Sequence, residues 1–511
     1  MHYRNVWSEI PSAQVVETPS RFARGLGKYT VVVSDACNDC LKCVAICPEK
    51  VFEAKGGKLT PPRDNLCLGI ECSRKSNRCI RNCPVNAIRV GTNPSARALG
   101  DKRWTADLLM STWYMAETGR LPKNDLEYRI GASGGGFDKL RLVFPRRPPR
   151  PGLDKARIDT SISLNKREDG RLKIDIPIPI YGGGMSFGSI SQITMLSRIR
   201  AFAAWGSFAC TGEGGYPEAL YPFDDHIITQ VATGLFGVRE ETIQRVKIVE
   251  FKYAQGAKPG LGGHLLGPKV TEAVARIRET VPGSSLFSPF PFHSVYSVED
   301  HKKHVDWIKA INPRGLVSVK VSTPTDVDMV AVGSYYAGAH ILHIDGSYGG
   351  TGAAPDVAKK NIAMPVEYAI PKVHNFLRNE GVRDQITLIA SGGIRTAYDV
   401  AKAIALGADG VVTGTPELVA LECLRCHNCE SGRGCARGIA TTDLELVGLM
   451  DLAWGSQRII NVLHCWREQL SEILYRLGMR SIRELVGRTD ALAHLDYDSD
   501  VPDDDIRQPI Q

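Results

Sequence analysis

All but two of the fourteen cysteines in this 511-residue chain fall into three groups. Cys37, Cys40, Cys43 and Cys47-Pro48 are spaced C-x2-C-x2-C-x3-C-P. Thiolates at that spacing hold iron–sulfur clusters, three binding one cluster and the fourth reaching another. Cys67, Cys72, Cys79 and Cys83-Pro84 repeat the C-x3-C-P ending after wider gaps of x4 and x6. The simplest division gives Cys37, Cys40, Cys43 and Cys83 to one [4Fe-4S] cluster, and Cys67, Cys72, Cys79 and Cys47 to a second. A zinc ribbon accounts for a CxxC pair but not for two CxxxCP endings. The third group is Cys423, Cys426, Cys429 and Cys435. Cys423, Cys429 and Cys435 suit a [3Fe-4S] cluster, Cys426 adds a fourth ligand for [4Fe-4S], and a zinc knuckle stays open. Cys210 and Cys465 read as small buried hydrophobes.

Two further features carry chemistry. Lys320 stands alone among apolar neighbours in Val317-Ser-Val-Lys-Val321. A buried ammonium needs a partner; a flavin's N1/O2 locus, anionic on reduction, is one, and a structural ion pair is the other. Glycine-rich turns supply the rest. Ser391-Gly392-Gly393 and Gly414-Thr415 follow short apolar runs and offer backbone N–H groups to a phosphate. Gly182 to Gly188, Thr211 to Gly215, Gln255 to Gly260 and Asp345 to Gly352 are similarly rich in glycine, which admits a flat ring close to the backbone.

These turns need strands to place them. Candidate strands are Ile176–Tyr181, Ser207–Cys210, Lys247–Phe251, Ser284–Phe287, Leu316–Val321, Ile341–Asp345, Thr387–Ala390 and Val411–Thr413, with helical patterns between most of them. Thr396 to Leu406 has amphipathic helical spacing. Eight parallel strands over this length make a (β/α)8 TIM barrel, whose functional groups sit on loops after the strands. No GxGxxG fingerprint follows a strand, so no dinucleotide module is expected. The expected order is an N-terminal segment (1–30) and a ferredoxin-like α+β domain (31–92), its short strands near 51–59 and 87–90. A connector (93–175) has a helix at 105–118 and a turn at 131–136. The barrel (176–420), cluster loop (421–443), C-terminal helices under the barrel (444–490) and an acidic tail (491–511) complete the chain.

Hydrophobic residues at 43% and charged residues at 23% are ordinary for a water-soluble chain. A net charge of +7 is mild, and the basic run Arg146 to Arg150 reads as a Pro-rich linker rather than a nucleic-acid patch. No apolar segment resembles a signal or a membrane span, so a cytoplasmic, reducing setting is expected, which favours thiolate ligands over disulfides.

The ordered motifs Gly184-Met-Ser-Phe-Gly-Ser-Ile-Ser191, Thr211-Gly-Glu-Gly-Gly215, Gln230 to Val238, Ala254 to Gly260, Ser288 to Asp300, Gly349 to Ala353, Cys435 to Thr442 and Glu484 to Arg488 resemble the FMN-binding synthase domain of glutamate synthase. With the cysteine-rich front, the chain resembles that family's short archaeal-type large subunits. The resemblance implies FMN at the barrel mouth and glutamate formed from 2-oxoglutarate and ammonia. Gln255 and Lys258 would hold the 2-oxoglutarate carboxylates and Glu213 would lie near flavin and substrate, with Lys320 making the fourth member of the catalytic set. Lys320, Met185, Ser186, Gly212, Gln230, Gly349, Gly350, Gly392, Gly393, Gly414 and Thr415 would contact FMN. The Cys423–Cys435 cluster would relay electrons.

Three departures qualify that expectation. Position 2 is histidine, so an amino-terminal cysteine nucleophile is missing and ammonia would come free or from a separate glutaminase-like subunit. The usual GEGGQ reads Gly260-Leu-Gly-Gly-His264, and PPPHHD reads Pro289-Phe-Pro-Phe-His-Ser294. HDGGTG reads Ser347-Tyr-Gly-Gly-Thr-Gly352. The C subunit of N-methylglutamate synthase, using methylamine and glutamate, is the alternative within the fold, and an electron-transfer subunit without its own chemistry is the alternative in kind. Separate electron-donor partners, a ferredoxin or an NADPH flavoprotein, and an oligomer are implied as well. The cysteine arithmetic predicts about eleven to twelve irons per chain in anaerobically purified protein. An iron assay near four per chain would contradict the two-cluster reading of Cys37 to Cys83.

Overall fold

A computed structural model describes residues 8–21, 26–69, 72, 79–122, 136–146, 151–352, 354–355, 357–359 and 362–496. Most of the turn at 131–136, the basic run at 147–150 and the acidic stretch from 497 lie outside the described residues.

Eight parallel strands close into a barrel: β1 (Ile180–Gly182), β2 (Ala209–Cys210), β3 (Ile227–Ala232), β4 (Ile248–Lys252), β5 (Leu316–Ser322), β6 (Ile341–Asp345), β7 (Thr387–Ser391) and β8 (Gly410–Thr413). Nearly every strand residue is buried, the signature of a parallel sheet covered on one face by helices and on the other by its own interior. Register carries the sheet round without a gap, with Val319 opposite Leu342, Ile344 opposite Ala390, Val412 opposite Tyr181 and Gly182 opposite Ala209.

Two expected strands differ. Ser284–Phe287 is not in the barrel; Leu286–Phe287 pairs antiparallel with His264–Leu265 in a small hairpin, and Phe287 is exposed. Its place is taken by β3, whose apolar run is interrupted by Thr229 and Gln230 and therefore does not look like a buried strand. The expected strand Ile176–Tyr181 splits at its prolines. Asp175–Ile176 pairs with Ile162–Ser163, and barrel pairing starts only at Ile180, after Pro177 and Pro179, which have no N–H to give a ladder.

Helix α1 (Ala106–Thr118) lies outside the barrel, its Thr105 hydroxyl accepting from the Leu108 N–H. The helices α2 (Gln192–Ala204) and α3 (Thr415–Ala420) follow β1 and β8. At the seam where barrel begins and ends, Arg198 of α2 pairs with Glu417 of α3 and donates to the Gly183 carbonyl at 2.5 Å, all three groups buried. The long helix α4 (Leu452–Leu477) packs on α2, α1 and α3, so it flanks the barrel and is not under it. Arg458 of α4 donates to Ala420 and Thr18 carbonyls, and Asn461 to Val16 and Ala116, stitching the N-terminal segment to the barrel's flank.

In the cysteine-rich module, Tyr29–Val33 pairs antiparallel with Ile88–Thr92, and Ala54–Lys55 with Lys58–Leu59. The first strand thus lies partly in the segment expected to precede the module. Val31, Val51, Phe52, Leu66 and Ile88 form its core, with Tyr114 of α1 packed into it. Leu492–His494 pairs with Leu140–Leu142, so the expected tail begins inside the folded body. Among the described residues no helix is long and apolar enough to cross a membrane.

Candidate active site

The chain's polar strand residues meet inside the barrel. Gln230 of β3 donates to Glu250 of β4 at 2.7 Å, Glu250 meets His343 Nδ1 of β6 at 3.0 Å, and His343 Nε2 lies 2.7 Å from the Ser391 hydroxyl of β7. Ser391 donates to Asp345 at 2.6 Å, and Asp345 lies 3.6 Å from Lys320 Nζ of β5. Burial disfavours the Lys320 charge, but Asp345 and Glu250 more than offset it and its pKa is raised. Burial likewise opposes the Glu250 carboxylate, yet His343 and Lys320 hold it down at about 2. The interior is therefore a chain of satisfied polar groups ending in an ammonium at the mouth, and the ion-pair reading of Lys320 is realised alongside its place in the cavity wall.

Above this chain lies a cavity of roughly 380 Å³, within the usual size of small-molecule sites. The structure brings all the sequence-predicted barrel residues to it. Glu213, Gln255, Lys258 and Lys320 line it together with Met185, Ser186, Gly212, Gln230, Gly349 and Gly350 and with Gly392, Gly393, Gly414 and Thr415. Gly392 (φ 89°) and Gly393 (φ 131°) turn the chain after β7 in a conformation that favours glycine, and a Cβ on Gly392 would collide with the Gly346 carbonyl.

Three cations act on the Glu213 carboxylate: Lys252, Lys258 and Arg278. Lys252, the last residue of β4, pairs with Glu213 at 3.1 Å, and Lys258 stands in the next loop with 3% of its surface exposed. Burial, helped by the Lys252 cation, lowers the Lys258 pKa to about 8. Arg278 donates to the Ser186 hydroxyl at 2.9 Å, and burial lowers its pKa to about 10. The hairpin carrying His264 closes over Glu213; a Cβ on Gly263 would overlap that carboxylate. Lys252, Arg278 and Arg103 are site residues the sequence reading missed, and Asp345 entered it only as the head of a glycine-rich turn, not as the partner of Lys320. Lys252 lay one residue beyond the expected end of its strand, and Arg278 and Arg103 had no local motif.

The cysteines divide in space. Cys37, Cys40, Cys43 and Cys83 line one small void in the module. Cys67 is pushed up to about 12 by burial, with Cys79, Cys47 and Cys72 as charge neighbours adding to the shift. Cys423 is pushed up to about 11, with Cys429 and Cys435 adjacent, and all four cysteines of that loop line the barrel cavity. Thiols that raise one another's pKa form a set that bound cations relieve, and the donor chemistry fits iron–sulfur clusters. Among the described residues no three Cys, His or carboxylate groups are arranged to hold a single metal ion. Cys210 and Cys465 are buried.

Residues 153–480 match the conserved region in glutamate synthase. The chain belongs to the glutamate synthase family. The archaeal-type glutamate synthase [NADPH] of Dehalococcoides mccartyi is 35% identical over 483 residues, covering 89% of this chain and 92% of that one. The archaeal glutamate synthase [NADPH] of Methanocaldococcus jannaschii is 45% identical over 341 residues, 66% of this chain and 65% of that one. The large chain of Azospirillum brasilense glutamate synthase [NADPH] is 36% identical over 327 residues, 63% of this chain but 21% of that one. The family match spans the whole barrel and stops short of the cysteine-rich module.

Lys258 carries its proton below about pH 8 and loses it above. A dicarboxylate that raises this pKa on binding should therefore bind progressively more weakly as pH rises through that value. Lys258→Ala should weaken it about ten- to a hundredfold at neutral pH and flatten the pH profile. Titration of the wild type and variant with 2-oxoglutarate between pH 6.5 and pH 9 on a buffer scale of roughly half-unit steps checks both.

Proposed function

We propose that this chain forms L-glutamate from 2-oxoglutarate and ammonia as the synthase subunit of a glutamate synthase. The observation that carries the reading is one cavity holding three things together: the Lys252–Glu213 pair beside Lys258, the Gly392-Gly393 and Gly414-Thr415 turns, and the third cysteine group.

FMN fits this cavity by its glycine turns and by Lys320, and would be held by Lys320, Gly392, Gly393, Gly414 and Thr415. When bound, it would supply hydride chemistry, and clusters that Cys37 to Cys83 and Cys423 to Cys435 would hold would supply single electrons. The protein's own groups do the rest. Lys258 and Gln255 hold the dicarboxylate, while Lys252 keeps Glu213 ionised so that it can orient an ammonium or iminium donor. The hairpin over Glu213 keeps water from the reacting carbon, where loss of the imine would compete. Ammonia comes free or from a glutaminase-like partner, and electrons come from a ferredoxin or an NADPH flavoprotein. The reduced thiols these groups need support a cytoplasmic setting.

Full-length protein, supplied anaerobically with a reduced viologen dye, 2-oxoglutarate and ¹⁵N-ammonium, should yield ¹⁵N-glutamate. A protein that contains flavin and iron yet forms none would contradict the proposal. N-methylglutamate formed instead from methylamine and glutamate would assign the other activity of this fold.

A further inference from the structure

The connector outside the barrel delivers one cation to the mouth. Arg103 lies between the cysteine-rich module and α1, yet its side chain is buried and lines the cavity beside Gly392, Gly393 and Thr415. Its guanidinium carbon stands 3.4 Å over the Tyr348 ring, on the loop after β6. A Cβ built on Gly393 would fall 3.2 Å from Arg103 Nη2, so the edge of the fork lies against the glycine turn. On its other side Gly136 leaves the room it occupies, since a Cβ there would come within 2.8 Å of both Nη atoms.

The backbone at this point is held fast. Asp101 accepts from the Arg103 and Trp104 N–H groups at 2.8 Å each, and pairs with Arg425 of the cysteine loop at 2.9 Å. Arg395, nearer in sequence to the turn, has its charge committed to Asp138 at 2.7 Å and Asp399 at 3.0 Å, and its remaining Nη1 donates to the Arg103 carbonyl. Arg395 therefore positions Arg103.

We infer that Arg103 is the phosphate-recognising residue of the flavin site, its fork reaching the phosphate that the Gly392-Gly393 turn cradles. The inference rests on the FMN reading above and adds to it a ligand from outside the barrel. A planar fork fixed by an aromatic ring suits bidentate contact with phosphate oxygens. Burial and the like charge of Arg395 lower the Arg103 pKa, so an added anion at this point would be favourable.

The two flavins that differ by one phosphate separate the contributions. Flavin-depleted full-length protein is titrated with FMN and with riboflavin by quenching of flavin fluorescence. Arg103→Leu should raise the FMN dissociation constant about ten- to a hundredfold and change that for riboflavin less than about threefold. Arg103→Lys, which keeps the charge but loses the fork, should show a smaller loss for FMN alone. Equal weakening of both flavins, or unchanged FMN affinity in both variants, would overturn the inference. A wild type that binds neither flavin would overturn the FMN reading itself.

Discussion

A lysine ammonium inside a parallel barrel sets the terms for the rest of this molecule. Lys320 is 8% exposed, and an unpaired charge in that position would cost several kcal/mol. Asp345 answers it, but a lone Asp345 would be as costly, so Ser391 and the Gly256 N–H bond to the carboxylate in turn. His343, on the same strand as Asp345, passes the same requirement to Glu250 and Gln230 on two more strands. Each group is tolerable only because its neighbour is present. Five strands are thus tied by side chains as well as by their ladder, and the tie ends at the floor of the cavity.

That floor explains why the mouth is built from glycine and cations. Loops that must bring backbone to a flat ligand carry few side chains, and at Gly256, Gly263 and Gly392 a Cβ would strike a neighbouring loop. Specificity must then come from a few long side chains at the rim. Lys252, Lys258 and Arg278 reach it from the barrel, Arg103 from the connector, and the third cysteine group closes it. The connector and α4 hold the cysteine-rich module on the same flank: Arg63 of the module pairs with Glu117 of α1, and Arg458 of α4 pairs with Glu422 beside Cys423. The cysteine-rich module and the barrel cavity are parts of one packed body.

Chemistry was more legible in the sequence than topology. Cysteine spacing declares itself because thiolates around a cluster must recur at short fixed intervals, and glycine turns declare themselves because no other residue survives there. Lys320 stood out as one charge in an apolar run. The strand β3 did not, because Gln230, which faces the polar interior, and its neighbour Thr229 break the apolar run by which buried strands are recognised. Leu286–Phe287 had the composition of a strand, but what it buries is decided by the hairpin partner at His264–Leu265, far off in sequence. Arg103 and Arg278 carry no local signal at all; each matters through what the fold sets against it.

On the FMN reading, the interior polar chain would present a functional cation, Lys320, to the flavin. This role of Lys320 is tested most directly by the reduction potential of that flavin in the wild type and in Lys320→Met. If the ammonium stabilises the reduced anion, its loss should lower the potential by roughly 30–65 mV, the equivalent of one charge-assisted contact of about 1.5–3 kcal/mol. An unchanged potential in a variant that keeps its full flavin content would mean that Lys320 serves only its ion pair with Asp345.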